Sequence, residues 1–175
     1  FFEAFLVGRK YSEVHELASR ICGICPIAHQ VTALRAVEKA LKTSVTPQTR
    51  ALRRLLALGG WIQSHTLSLY FLTAPDYLGF DGAISMANKY KDAIGQALRL
   101  KKLGNDLSEI VGGRAIHPIS TVLGGFTKTP KKENLAEMRQ RLEQEKNDIW
   151  NTVDLFRGFN YPKIDLDTEF VAISS

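Results

Sequence analysis

The only two cysteines of this chain stand in one short string, Arg20-Ile21-Cys22-Gly23-Ile24-Cys25-Pro26-Ile27-Ala28-His29. Thiolates select soft or borderline metals. Gly23 lets the backbone bend, so both sulfurs can turn to one side. Pro26 directly after Cys25 reads as the first residue of a helix, where its missing N–H costs nothing. Cys25 then sits at the positive end of a helix dipole, and Arg20 adds a full positive charge. Both favour the thiolate that a metal bond needs. His29 lies about one turn into that helix, from where its ring can reach back and hydrogen-bond a sulfur.

A C-x-x-C pair alone also fits a zinc site or a redox pair. A structural zinc site needs four ligands, and His15, His65 and His117 show no finger-like spacing. A thioredoxin-type pair belongs between a strand and a helix, and no strand pattern precedes Ile21. A disulfide closing so short a loop would stabilise little, and a reducing intracellular setting suits two free thiols better. Two thiolates leave any metal half coordinated, so further ligands must come from elsewhere. A small helical protein with a zinc or redox C-x-x-C site stays open at this point.

The elements that must hold this string are helical. Residues 12–21 place Val14, Leu17, Ala18 and Ile21 on one face, and residues 27–41 place Val31, Leu34, Val37 and Leu41 at near-helical spacing. Thr46-Pro47 is a cap followed by a first-turn proline. The helix it starts runs to about Thr73, where Ala74-Pro75-Asp76 is expected to end it. Its residues 52–72 are apolar around most of the circumference, so deep burial in a bundle is expected. A third helical region covers about 84–111, with a break near Gly104-Asn105. A last long amphipathic helix covers about 131–157, and one short strand is expected at 169–173.

Between the third and last helices lies Gly112-Gly113-Arg114-Ala115-Ile116-His117-Pro118, followed by Gly124-Gly125. Such a run marks backbone that approaches something closely. It is either a tight connector or a loop that puts Arg114 or His117 beside a ligand.

Composition bounds the rest. At 175 residues and 45% hydrophobic, the chain suits one cored domain. Its net charge of +5 is scattered, with Arg53-Arg54, Lys101-Lys102 and Lys131-Lys132 among its few compact basic runs. That is a solvated or protein-facing surface rather than a nucleic-acid footprint. No apolar stretch is long enough to span a membrane. The chain opens Phe1-Phe2-Glu3 without Met and is expected to be an excerpt of a longer polypeptide.

The full string R-x-C-G-x-C-P-x-x-H resembles the first cysteine motif of the nickel–iron hydrogenase large subunit. Phe2-Glu3-Ala4-Phe5-Leu6-Val7-Gly8-Arg9 is similar to that family's F-E-x-x-L-x-G-R segment. Gln63-Ser64-His65 and Leu72-Thr73-Ala74-Pro75-Asp76 resemble the helix that passes over its metal centre. Residues 112–118 with Gly124-Gly125 resemble its G-G-[KR]-x-x-H-P…G-G loop. The resemblance covers nearly all of residues 1–130, and residues 131–175 carry no nameable motif.

The resemblance implies that Cys22 is a terminal nickel ligand and that Cys25 bridges nickel and iron, an iron that carries diatomic ligands. It implies catalytic roles for His29, which donates to a sulfur, and for Arg20. Ser64, His65, Arg114 and His117 are expected around the cofactor, and Glu3 is expected to help hold a magnesium ion. The activity implied is reversible oxidation of H₂. The partners implied are electron-transfer subunits, an iron–sulfur small subunit, and the remaining part of the large subunit, in the cytoplasm.

The second cysteine motif (D-P-C-x-x-C-x-x-H) and the R-[IV]-E-G-H segment are absent from these residues. Ser64 stands where many uptake-type members have an aspartate, and Ser68 where a histidine is common. The expected fold is therefore mostly α. It is a buried bundle of long helices with a Gly/Pro-rich loop and one or two short strands, and residues 1–175 form a single helical domain. By itself this portion is expected to be inactive. The alternative within the family is a non-catalytic interaction or assembly module.

Overall fold

The computed structural model describes residues 1–164 and 166–172. In chain order the helices are α1 (Phe2–Leu6), α2 (Val14–Ser19), α3 (Pro26–Ala40), α4 (Pro47–Leu67), α5 (Ala74–Leu78), α6 (Ala83–Ala87), α7 (Lys91–Gly112), α8 (Lys132–Gln144) and α9 (Lys146–Arg157). A π-helical segment, Ser68–Thr73, joins α4 to α5. Two short antiparallel strands, β1 (Thr121–Val122) and β2 (Gly125–Phe126), form a hairpin with Gly124 at φ +78°.

The proline starts behave as the sequence implies. Cys25 is the N-cap of α3 with Pro26 at its first position. Thr46 caps α4 by accepting the Thr49 N–H at 3.1 Å.

Four expectations need correction. The α4 helix does not stop at Ala74-Pro75-Asp76; it continues through the π-helical segment into α5. A proline inside an α-helix loses its N–H bond and clashes with the preceding turn, and the wider π turn lets the chain pass Pro75 without breaking. The third region breaks at residues 88–90, not at Gly104, which lies within an unbroken α7. The last helix is two, divided at Glu145. Residues 169–172 form no strand, and position 173 lies outside the described residues.

The most extensive contact in the molecule is between α4 and α7, and glycine permits it. A Cβ on Gly104 would fall 2.6 Å from the Gln63 nitrogen and 2.8 Å from the Gly59 carbonyl oxygen. Gly104 is therefore a crossing point rather than a helix breaker. On the adjoining face, a Cβ on Gly60 would meet the Ile27 side chain at 3.1 Å, which seats α3 on α4.

One core gathers Ile27, Leu56, Leu103, Leu107, Val111 and Met138 around this crossing. A second gathers Tyr70, Ala74, Met86, Ala97 and Phe156 beneath the π-helical segment. The α4 helix is nevertheless not buried all round, because Leu58 and Trp61 are 40% and 57% exposed.

Arg53, read from sequence as part of a basic surface run, is buried. Its guanidinium forms a two-pronged bond with Glu38 at 2.8 and 2.7 Å, and also donates to the Val122 carbonyl and the Thr121 hydroxyl. Glu38 additionally accepts the Gly124 N–H at 2.9 Å. The pair thus pins the hairpin to α3 and α4. Burial works against the Glu38 charge, but the Arg53 and Gly124 bonds outweigh it and hold the carboxyl below its ordinary range.

A depressed carboxyl contributes stability above its unfolded pKa and loses it as pH falls through the folded value. Arg53→Met should therefore cost about 3–5 kcal/mol at neutral pH by leaving a buried charge unpaired. The deficit should shrink as pH falls, first as the unpaired buried Glu38 of the variant protonates and then as the wild-type carboxyl does below its ordinary range, as read from urea midpoints at neutral and acid pH.

Candidate functional site

The cysteine loop lies between the end of α2 and the start of α3. Both thiols are free and half-buried, while Gly23 and Ile24 between them are exposed. The Cys22 sulfur accepts two backbone N–H groups, from Cys25 at 3.2 Å and from Ile24 at 3.4 Å. The Cys25 thiol, followed by these N–H groups, pushes the Cys22 thiol below its ordinary pKa. Cys25 is pushed up, chiefly because its thiol proton is held in a hydrogen bond to the Cys22 sulfur, then by burial and by the charge of a neighbouring thiolate.

A pair in which one sulfur is already supported as an anion, facing an open loop, fits soft-metal ligation. Among the described residues, no three His, Cys, Asp or Glu side chains gather as a metal site. The pair therefore presents two soft donors with no third ligand beside them among the described residues.

Four side chains fix this loop and its flanks. Buried Gln63 on α4 donates to the Ile24 carbonyl at 2.6 Å, and Lys101 on α7 donates to the Gln63 side-chain oxygen at 3.0 Å. Burial pushes the Lys101 ammonium below its ordinary pKa. His117 donates from Nδ1 to the Ser19 carbonyl at 2.8 Å, with the Ser19 hydroxyl 3.1 Å away. Buried Gln30 on α3 donates to the Pro118 carbonyl at 2.7 Å. The His117-Pro118 stretch therefore clamps the chain on both sides of the cysteine loop.

The glycines of that stretch serve its own fold. Gly113 ends α7 at φ +80°, and a Cβ on Gly112 would fall 2.7 Å from Pro118. His117 itself sits at φ +54°, an uncommon conformation for a side-chain-bearing residue.

The structure brings Cys22 and Cys25 together and places His117 three residues before Cys22, on Ser19. His29 is half-buried in the first turn of α3, where its backbone N–H bonds the Cys25 carbonyl at 3.4 Å. Among the described residues, no hydrogen bond joins its ring to either sulfur. Arg20 is exposed at the end of α2. Ser64 is half-buried, while exposed His65 bonds the Trp61 carbonyl at 2.8 Å. Two residues of helix turn His65 about 200° from Gln63, to the far side of α4. Arg114 is exposed, and Glu3 is exposed in the first turn of α1, a helix with no buried residue.

Sequence reasoning missed Gln63 and Lys101 as supports. Gln63 was visible only as part of Gln63-Ser64-His65, and Lys101 only as part of a basic run. Gln30 gave no signal beyond a polar residue on an apolar helix face.

The described scaffold thus presents a C-x-x-C loop at a helix start, held by a Gly-Gly-Arg-x-x-His-Pro stretch. Residues 1–94 match the nickel-dependent hydrogenase family, and the chain belongs to it. It is 44% identical to the alpha subunit of sulfhydrogenase 1 of Pyrococcus furiosus over 82% of this chain and 34% of that one. It is 36% identical to a vhu subunit of the F420-non-reducing hydrogenase of Methanocaldococcus jannaschii over 91% of this chain and 40% of that one. The fold matches that of an NAD⁺-reducing [NiFe]-hydrogenase in its H₂-reduced state. The TM-score is 0.84 at 29% identity, over 89% of this chain and 36% of that one. The chain thus spans between about a third and two fifths of these relatives' length. No helix of the described residues is long and apolar enough to cross a membrane.

The His117 backbone generates a direct test. Asn tolerates positive φ whereas a β-branched residue does not. His117→Val should therefore destabilise the chain by about 1–3 kcal/mol more than His117→Asn, as measured by chemical denaturation.

Proposed function

We propose that this chain is the portion of a nickel–iron hydrogenase large subunit that supplies the first cysteine pair of the metal centre. The observation that carries the reading is the Cys22–Cys25 loop. One sulfur is supported by two N–H groups at a helix start, and the loop is held from α4, α7 and the His117-Pro118 clamp. Family membership supplies the metal: Cys22 would hold nickel, and Cys25 would bridge nickel and iron. When bound, the nickel–iron centre, with diatomic ligands on its iron, would supply the two-electron oxidation of H₂ to two protons.

The chain's own residues hold and orient. Gln63 and the clamp fix the loop; the family resemblance supports roles in which Arg20 would add positive charge near the thiolates and His29 would donate to a sulfur. Ser64, Arg114 and His117 would act around the cofactor as supports rather than reactants, whereas His65 lies on the far side of α4 and takes no part. Glu3, in α1, would contribute a carboxylate to a magnesium ion. The remaining part of the large subunit provides the other metal ligands, and an iron–sulfur small subunit with further electron-transfer subunits carries electrons away. Phe1-Phe2-Glu3-Ala4-Phe5-Leu6 and Cys22-Gly23-Ile24-Cys25-Pro26 resemble the soluble cytoplasmic branch of the family, which supports a cytoplasmic setting. The 175 residues alone are expected to show no turnover.

Metal analysis of the whole subunit, produced with its small subunit, tests this reading. Nickel and iron should be present together, and Cys22→Ser or Cys25→Ser should abolish nickel retention. Zinc alone, or nickel unchanged in both variants, contradicts it.

A further inference from the structure

We infer that Lys101 and Gln63 form a positioning relay that acts on the Cys22 sulfur through the Ile24–Cys25 peptide group. The inference rests on the nickel–iron reading only for its consequence at the metal; the relay itself is a property of this chain.

Gln63 is buried at the α4–α7 crossing, where an amide is costly unless both of its ends are satisfied. Both are. Its nitrogen donates to the Ile24 carbonyl at 2.6 Å and its oxygen accepts from the Lys101 ammonium at 3.0 Å. An ammonium can only donate, so Lys101 fixes which end of the amide faces the loop.

The Ile24 carbonyl and the Cys25 N–H belong to one peptide unit, and that N–H donates to the Cys22 sulfur at 3.2 Å. A donor pulling on the carbonyl strengthens the N–H on the other side of the same unit. The chain from ammonium to amide to peptide to sulfur is therefore continuous. It draws electron density from Cys22 without touching it, and it holds the loop in the bend that pairs the two sulfurs.

The test uses the whole large subunit with three variants. Gln63→Glu keeps an acceptor toward Lys101 but removes the donor to Ile24. Lys101→Met removes the charge, and Lys101→Arg keeps it. In the metal-free subunit, hydrogen exchange at the Cys25 and Ile24 amides should rise about fivefold in Gln63→Glu, the change set by one net hydrogen bond. It should rise less in Lys101→Met and stay at the wild-type rate in Lys101→Arg. The α4 amides should stay protected throughout.

In the loaded complex, Gln63→Glu and Lys101→Met should shift the infrared bands of the diatomic ligands to lower frequency, because Cys22 then donates more charge. Lys101→Arg should not. Wild-type exchange and wild-type bands in Gln63→Glu overturn the relay, and Lys101→Arg behaving like Lys101→Met overturns the part played by charge. A wild-type complex with no diatomic bands would overturn the nickel–iron reading, while the exchange measurement would still decide the relay.

Discussion

Two helix backbones touch where side chains would normally hold them apart, and the rest of the molecule is arranged around that contact. Gly59 on α4 and Gly104 on α7 leave no room for a Cβ at the crossing. Glycine inside a helix carries a penalty of about 1 kcal/mol relative to alanine, and here it is offset by packing that only glycine allows. The close crossing sets Gln63 of α4 within reach of Lys101 of α7. The neighbouring Gly60 seats Ile27, and with it the start of α3.

The cysteine loop inherits its shape from these placements. Its residues are largely exposed and bury little apolar surface of their own, so hydrogen bonds from outside the loop must hold it. Gln63 holds the middle, His117 the approach and Gln30 the exit. All three bond to backbone carbonyls. The donors therefore constrain the path of the chain without engaging either sulfur. The buried Glu38–Arg53 pair does the same at the far end of α3, where it ties the hairpin to the bundle.

Much of this was legible in the residues. Pro26 and Pro47 marked helix starts because proline's missing N–H is harmless there, and the cysteine string with its flanking Arg and His pointed to the family that residues 1–94 match. What stayed illegible depended on partners far away in sequence. Gly104 looks like a helix break unless Gly59 is known to face it, and Arg53 looks like a surface charge until Glu38 and Val122 surround it. Pro75 looks like a terminator because nothing local announces the π turn before it. Lys101 and Gln63 meet across 38 residues of sequence, which no periodicity reveals.

The sign of one stability change tests the close crossing most directly. Judged by helix propensity alone, Gly104→Ala should stabilise the chain by about 1 kcal/mol. The backbone contact predicts the opposite. The added methyl must push α4 and α7 apart, with a net loss of about 1–3 kcal/mol and a melting temperature lower by several degrees. A melting temperature equal to or above that of the parent chain would contradict the account.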